Sequence, residues 1–357
     1  MKPTLLLSAM LLAISAFSQD PTNIEAAEYD PVNNRYFVSN GNRILVTTDG
    51  GESWDYFGNE GATHGMEVMG DHLYVIEGGT IRVLNLNDGS QVSSLNVSVA
   101  QFMNGMANNG SDKIWVSDFA GQRIYEIDAS DPANITSTTV VSNVGATPNG
   151  LTYDADNNRV IIVTWGTNAE ILSMDITDYS LATVLLSSGL GNLDGVDNDS
   201  EGNFYVSSWS PDRITRYSND FSESTAVVTS GLDAPADISY AQATDSLAVA
   251  NSFSDEVTFH YFGDGNPVNI TNANQLLYSL NIFPNPIGKE LKYAFKGKED
   301  AYSWFIVNLA GQSILSGKNK NTSDDFSIID ASRLPAGIYM LQVKQDEIIQ
   351  TVRFIKE

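Results

Sequence analysis

Along most of the chain, hydrophobic and polar positions alternate in short runs closed by Asn, Gly, Asp or Pro, among them RYFVSN, RILVTT, HLYVIE, KIWVSD, RIYEID, RVIIVTW and EILSMD. A period of two makes one face of a segment apolar, so each run predicts a β-strand and each break a turn.

The runs also recur as a larger unit. Its clearest copy is PNGLTYDADNNRVIIVTW, residues 148–165; moved back by 124 positions, Asp154, Asn157, Asn158 and Arg159 fall on Asp30, Asn33, Asn34 and Arg35. A polar residue heads each copy: Glu25, His64, Asn104, Asn149, Asp194 and Asp237, spaced 39, 40, 45, 45 and 43 residues apart. A period near forty that holds several short strands predicts a β-propeller, in which every repeat is one twisted four-stranded blade whose first strand lines a central channel. Six blades are expected over residues 19–271. The sixth lacks an evident fourth strand, for which Val268 to Thr271 or the segment after Gln19 is a candidate. A polar stretch, residues 272–279, reads as a linker, and residues 280–357 hold several alternating strands in a length that suits a small immunoglobulin-like β-sandwich. The expected fold class is therefore all-β.

The first residues change the picture. Lys2, the apolar run Leu5 to Phe17 and the small-residue pattern at Ala16-Phe17-Ser18 read as a signal peptide over residues 1–18, too short to span a bilayer. The chain has no cysteine, which excludes disulfides, thiolate metal sites and a Cys nucleophile. Its net charge of −25 is lopsided: the residues before Tyr278 carry −26, with Lys113 the only lysine between Gln19 and Leu277. A field of that sign repels nucleic acid and favours cations, although most such carboxylates serve only to keep a surface soluble.

If the register holds, Glu25, Asp194 and Asp237 meet at one end of the channel. Carboxylates that close oppose one another's ionisation unless a cation compensates them. With the amides of Asn104 and Asn149 they make an oxygen-only set suited to a divalent metal, calcium first, with magnesium, manganese or zinc behind it. Asp194, Asp237 and His64 are the candidates for acid–base chemistry. For His64 the alternative is a hydrogen bond in the channel wall, and for Asn104 a plain Asn-Gly turn. Second strands return to the end where the first began, which places Phe119, Trp165 and Trp209 as one aromatic wall of a substrate pocket and Gly41, Gly78 and Ser252 on the open side. The same rings could equally well pack the loops between blades.

Certain words resemble known families. Thr47 to Trp54, TTDGGESW, resembles the Asp-box hairpin of sialidases, a structural turn; a single copy without an arginine cluster argues against sialidase activity. NIFPNP, then Asn308-Leu309-Ala310-Gly311-Gln312, Asp330 and Leu334-Pro335-Ala336-Gly337-Ile338-Tyr339 resemble the type A C-terminal sorting domain of type IX secretion cargo. That resemblance implies a bacterial cell-surface or secreted location and the secretion machinery as a partner. Glu25 ahead of Tyr29-Asp30-Pro31, Pro148-Asn149-Gly150-Leu151 and Asp194-Gly195-Val196 resemble the SMP-30/gluconolactonase and NHL-type propellers. In that family the three positions hold a divalent metal, and the Asp takes part in lactone hydrolysis. The third repeat departs from it: the family's Asn-Asp-Gly is Met103-Asn104-Gly105, with Gln101 and Phe102 before it. The expected function is an exported module that binds a small-molecule or surface ligand and has an axial metal. The alternative is a metal-dependent lactonase or esterase.

Overall fold

The computed structural model describes residues 18–262, 268–269, 279–282, 286–296, 301–308, 313–320, 326–345 and 348–356. The expected signal peptide and linker lie outside these apart from Ser18 and Ser279, and Ser279 opens a strand. The described residues contain strands and no helix. They fall into two compact units, Met1–Asn269 and Ile270–Glu357.

In the first unit the described strands form six antiparallel four-stranded sheets, each built from strands consecutive in sequence. The first sheet comprises Ala27–Asp30, Arg35–Asn40, Arg43–Thr47 and Asp55–Tyr56; the sixth comprises Pro235–Ala241, Ser246–Asn251, Glu256–Tyr261 and Val268–Asn269. Val268–Asn269 is thus the fourth strand that the alternation left open, while the amide of Gln19 bonds the carbonyl of Trp54 at the first sheet instead. The innermost strands, Ala27–Asp30, Met66–Met69, Met103–Asn108, Thr147–Asp154, Gly191–Asn198 and Pro235–Ala241, neighbour one another in order, and the last neighbours the first.

The second strands explain this arrangement. Val160 and Ile162 enter the core shared with the preceding sheet, and Ile161 and Val163 the core shared with the next. A strand covered on both faces needs apolar residues at every position, which is why RVIIVTW reads as a continuous run rather than a strict alternation. Each adjacent pair of sheets shares such a core. The closing one joins Val38, Leu45 and Trp54 to Ala248 and Ala250 of the sixth sheet. The Asp-box turn supports that seam. Asp49 accepts from the amide and hydroxyl of Ser53, and Thr47 from the amide of Gly51. Trp54 is thereby tucked in, only 6% exposed.

The recurring Asp, Asn, Asn, Arg letters are hairpin chemistry. Asp30 accepts from Asn33 and Arg35, and Asp154 from Asn157 and Arg159, with nitrogen–oxygen distances of 2.7–2.9 Å. Asn34 and Asn158, both at φ 51°, take the left-handed turn position that asparagine tolerates.

The second unit holds a three-stranded sheet (Ser279–Ile282, Glu290–Lys296, Ser327–Asp330) and a four-stranded one (Ser313–Lys320, Ala301–Asn308, Gly337–Gln345, Ile348–Lys356). Leu291, Tyr293 and Ile329 of the first sheet meet Ile306, Leu341, Val343 and Phe354 of the second in one core.

Candidate functional site

The site begins with backbone packing. In the third to fifth sheets the head residue is followed by glycine, and both lie inside the innermost strand; the alternative of a plain Asn-Gly turn at Asn104-Gly105 does not hold. Neighbouring innermost strands run so close that a Cβ on Gly105 would lie 2.4 Å from the carbonyl oxygen of Asn149, and one on Gly150 2.4 Å from that of Asp194. Only glycine permits this approach. A buried second-strand serine then links the strands. Ser117 accepts from the amide of Gly105 and donates to the carbonyl of Asn149 at 2.7 Å, and Ser207 does the same between Gly195 and Ala236. Ser39 accepts from the amides of Glu25 and Ala26.

Pairing shifts by one residue between Pro148 and Leu151, Leu193 and Val196, and Pro235 and Ile238. Such a bulge lets residues three apart, rather than two, face the same way. Two levels of polar side chains result along the innermost strands.

At the first level stand the heads. Burial raises the Glu25 carboxyl to about 7. Burial, with repulsion from Glu25 and Asp237, raises Asp194 well above the carboxylate range, while a hydrogen bond from Asn149 opposes the shift. Asp237 rises to about 7, again chiefly by burial, with repulsion from Asp197 and Glu25. These three therefore share one electrostatic environment. Asn149 is buried: its Nδ2 donates to the carbonyl of Leu193 at 3.1 Å, and its Oδ1 has no hydrogen-bond donor. His64 stands apart from the acids, its Nδ1 2.9 Å from the Thr63 hydroxyl and its ring edge-on to Phe102; burial lowers it to about 4. Asn104 is half-buried, and its carbonyl accepts from the amide of Gly65.

The second level was not anticipated. Glu28, Glu67 and Asp197, with Asn108, Thr152 and Ser239, line a cavity of about 360 Å³ that Asp237 also reaches. Glu28 accepts from the amide of Val68 and the hydroxyl of Ser239, and Asp197 from the amides of Asn198 and Tyr240. Glu67 pairs with the Asn108 amide. Burial is the first cause that raises all three; repulsion from Asp197 and Asp237 adds to it for Glu28, and from Glu28 and Asp197 for Glu67. The signal was present as a second acidic or polar residue three places after each of the heads Glu25, His64, Asn149 and Asp194.

The rings of Phe119, Trp165 and Trp209 meet in one continuous row, which lines no part of the cavity described above. It extends further than expected, His64–Phe102–Phe119–Trp165–Trp209–Phe253, with ring centroids 4.7, 5.6, 5.9, 4.9 and 5.1 Å apart in turn. All five contacts are edge-on, and Trp209 Nε1 donates to the carbonyl of Pro235 at 3.1 Å. Trp165 pairs across from Thr147, just ahead of Asn149, so the row lies at the end of the innermost strands where the heads stand. Of the expected open side, Gly41 and Gly78 have open space around them, but beside Ser252 the ring of Phe253 carries the aromatic row into the sixth sheet.

Among the described residues, no three His, Cys, Asp or Glu side chains are grouped so as to hold a metal by themselves. Nor is any helix long and apolar enough to cross a membrane.

Residues 281–357 match the secretion system C-terminal sorting domain family. No curated protein matches the chain. Among solved structures, the first unit's likeness is to propellers. A chain of a nidogen/laminin complex aligns over 66% of this chain and 91% of its own at 13% identity and a TM-score of 0.56. Regucalcin from Agrobacterium tumefaciens, described as a calcium-binding protein, aligns over 64% and 82% at 13% identity and a TM-score of 0.52. At such identities the likeness carries the fold alone. The chain thus joins a β-propeller-like, all-β unit to a sorting domain that directs it through type IX secretion to the cell surface or the extracellular space.

Proposed function

We propose that the protein is an exported ligand-binding module: a six-bladed propeller over residues 19–271, delivered by a signal peptide (1–18) and an immunoglobulin-like sorting domain (280–357), with a divalent cation on the propeller axis. The observation that carries this reading is the unpartnered Oδ1 of buried Asn149 beside carboxyls raised by burial and mutual repulsion. A buried acceptor without a donor is costly, and so are carboxylates without a counter-charge. One cation relieves both. Because its Oδ1 lacks a donor, the Asn149 amide belongs in the shell: Glu25, Asp194 and Asn149 would hold the ion, with Asp237 and Asn104 beside them. An all-oxygen set suits calcium. That a solved protein of like fold is described as calcium-binding agrees with this choice.

Element analysis of the purified full-length protein, with melting curves in calcium and in chelator, tests the reading. One ion per chain and a higher midpoint in calcium are expected. No bound metal and no shift with calcium, magnesium, manganese or zinc would remove the ion from the proposal.

One observation favours a second reading, a lactonase or esterase: Asp237 is half-buried at the axis with its carboxyl near 7, where a group can take up and release a proton at neutral pH. A bound divalent ion would supply Lewis-acid polarisation of an ester carbonyl. Turnover of a lactone or aryl ester that Asp237→Asn abolishes, with folding intact, distinguishes this reading from binding alone.

A further inference from the structure

The segment ahead of the first sheet is tied to the closing seam at several points. The amide of Gln19 donates to the carbonyl of Trp54 at 2.8 Å, and the amide of Trp54 donates to the Ser18 hydroxyl at 3.0 Å. Further on, the amide of Thr22 donates to Asn40 Oδ1 at 2.6 Å, and that of Ile24 to Asp255 Oδ1 at 3.2 Å, just ahead of the strand Glu256–Tyr261. These bonds strap the first sheet to the sixth, where Ile24 and Trp54 share one core.

Cleavage after Ser18, the end of the proposed signal peptide, changes what Trp54 meets. It removes the Ser18 hydroxyl and leaves the Trp54 amide, on a residue only 6% exposed, without that acceptor. It also turns the Gln19 amide into an amine, mostly protonated at neutral pH, which brings several donors to one carbonyl and offers the Trp54 amide nothing. An unmet amide in such a place is costly.

A glutamine at a chain start can close on itself. Its amine nitrogen attacks the side-chain Cδ; a C–N bond forms, the bond from Cδ to the amide nitrogen breaks, and that nitrogen leaves as ammonia with the proton the amine gives up. No oxidant, reductant or further reactant is consumed. The product is a neutral lactam whose N–H and C=O, held cis by the ring, point out along one edge. In an extended strand the N–H and C=O of one residue also share one side. The edge therefore matches what Trp54 presents: its carbonyl for the lactam N–H, and its amide for the lactam oxygen.

We propose that the mature chain begins with pyroglutamate formed from Gln19, and that this ring docks on the backbone of Trp54 in place of the Ser18–Gln19 pair. The proposal rests on the signal-peptide boundary at Ser18, but not on the axial ion.

Two measurements test it. In protein purified from the cells that export it, mass spectrometry should find an N-terminal peptide that starts at residue 19, is lighter by one ammonia, and is closed to aminopeptidase until pyroglutamyl peptidase acts. In the second, the chain from Gln19 to Glu357, freed from a cleavable tag with its glutamine open, is compared with the same sample after ring closure by glutaminyl cyclase. Hydrogen exchange at the Trp54 amide should slow at least about tenfold on closure. Gln19→Ala, which cannot close, should show no change with the cyclase. A terminus other than residue 19 overturns the signal-peptide boundary and this inference together. Gln19 found with an open amine overturns this inference alone, and so does Trp54 exchange that ring closure leaves unchanged.

Discussion

Ser117 stands between Gly105 and Asn149, accepting from the amide of one at 2.8 Å and donating to the carbonyl of the other at 2.7 Å. One hydroxyl thereby joins two sheets and fixes the backbone that carries the Asn149 amide. Ser117→Ala leaves a buried donor and a buried acceptor unpaired, so it should cost about 2–3 kcal/mol in denaturant unfolding. It should also weaken calcium stabilisation more than an equally destabilising core change elsewhere, such as Ile306→Val in the second unit.

Two glycines give expectations of different size. Gly150→Ala places a methyl 2.4 Å from the Asp194 carbonyl oxygen, so the innermost strands must separate; a loss of about 2–4 kcal/mol is expected. Gly41 has φ 66° and open space around it, so Gly41→Ala carries only the left-handed backbone penalty, about 1–2 kcal/mol. Chemical denaturation of the pair checks the difference.

The proposed ion site should trade stability for binding. Asp194 is buried among like charges, so Asp194→Asn is expected to raise the melting midpoint in chelator at pH 8 while it abolishes the rise with calcium. For the unaltered protein, calcium at a hundred times its dissociation constant should add about 2.7 kcal/mol. A variant that melts lower than the parent in chelator would contradict the repulsion argument.

The pH dependence follows from the same groups. Glu25 and Asp237 near 7 and Asp197 near 6 hold protons that the unfolded chain releases near 4. The folded state therefore binds more protons between about pH 4 and pH 7, and stability falls as pH rises through that window. Melting midpoints in chelator should be higher at pH 5.5 than at pH 8, and calcium should close the gap. A flat profile would mean that these acids are not burdened as described.

The repeat was legible because hairpin chemistry reuses its letters: Asp30 with Arg35 and Asp154 with Arg159 make the same turn, and that identity exposed the period. The head positions followed from it, and so did the Phe119–Trp165–Trp209 row. Asp197 was missed because a strand is read with a period of two, and the bulge after Leu193 turns two into three; Glu28 and Glu67 were missed because the heads Glu25 and His64 stand ahead of the strands Ala27–Asp30 and Met66–Met69, where alternation gives no direction. Phe102 and Phe253 escaped for the same reason: they too lie just outside the strands. A turn stayed open as the alternative at Asn104-Gly105 because the pair is usually one; here the glycine serves an approach between strands far apart in sequence, which no local pattern reveals.

The closing seam sets an order of events. Among the described residues each sheet can assemble from its own stretch of chain, yet the amide of Tyr29 waits for the hydroxyl of Ser239, and the Glu25 carbonyl for the amide of Asp237. Until the last sheet exists, the first has a bare flank and the axial carboxyls have no common centre. The proposed axial ion could therefore be captured only once the circle is complete, and a chain cut short before Pro235 should be unable to bind it.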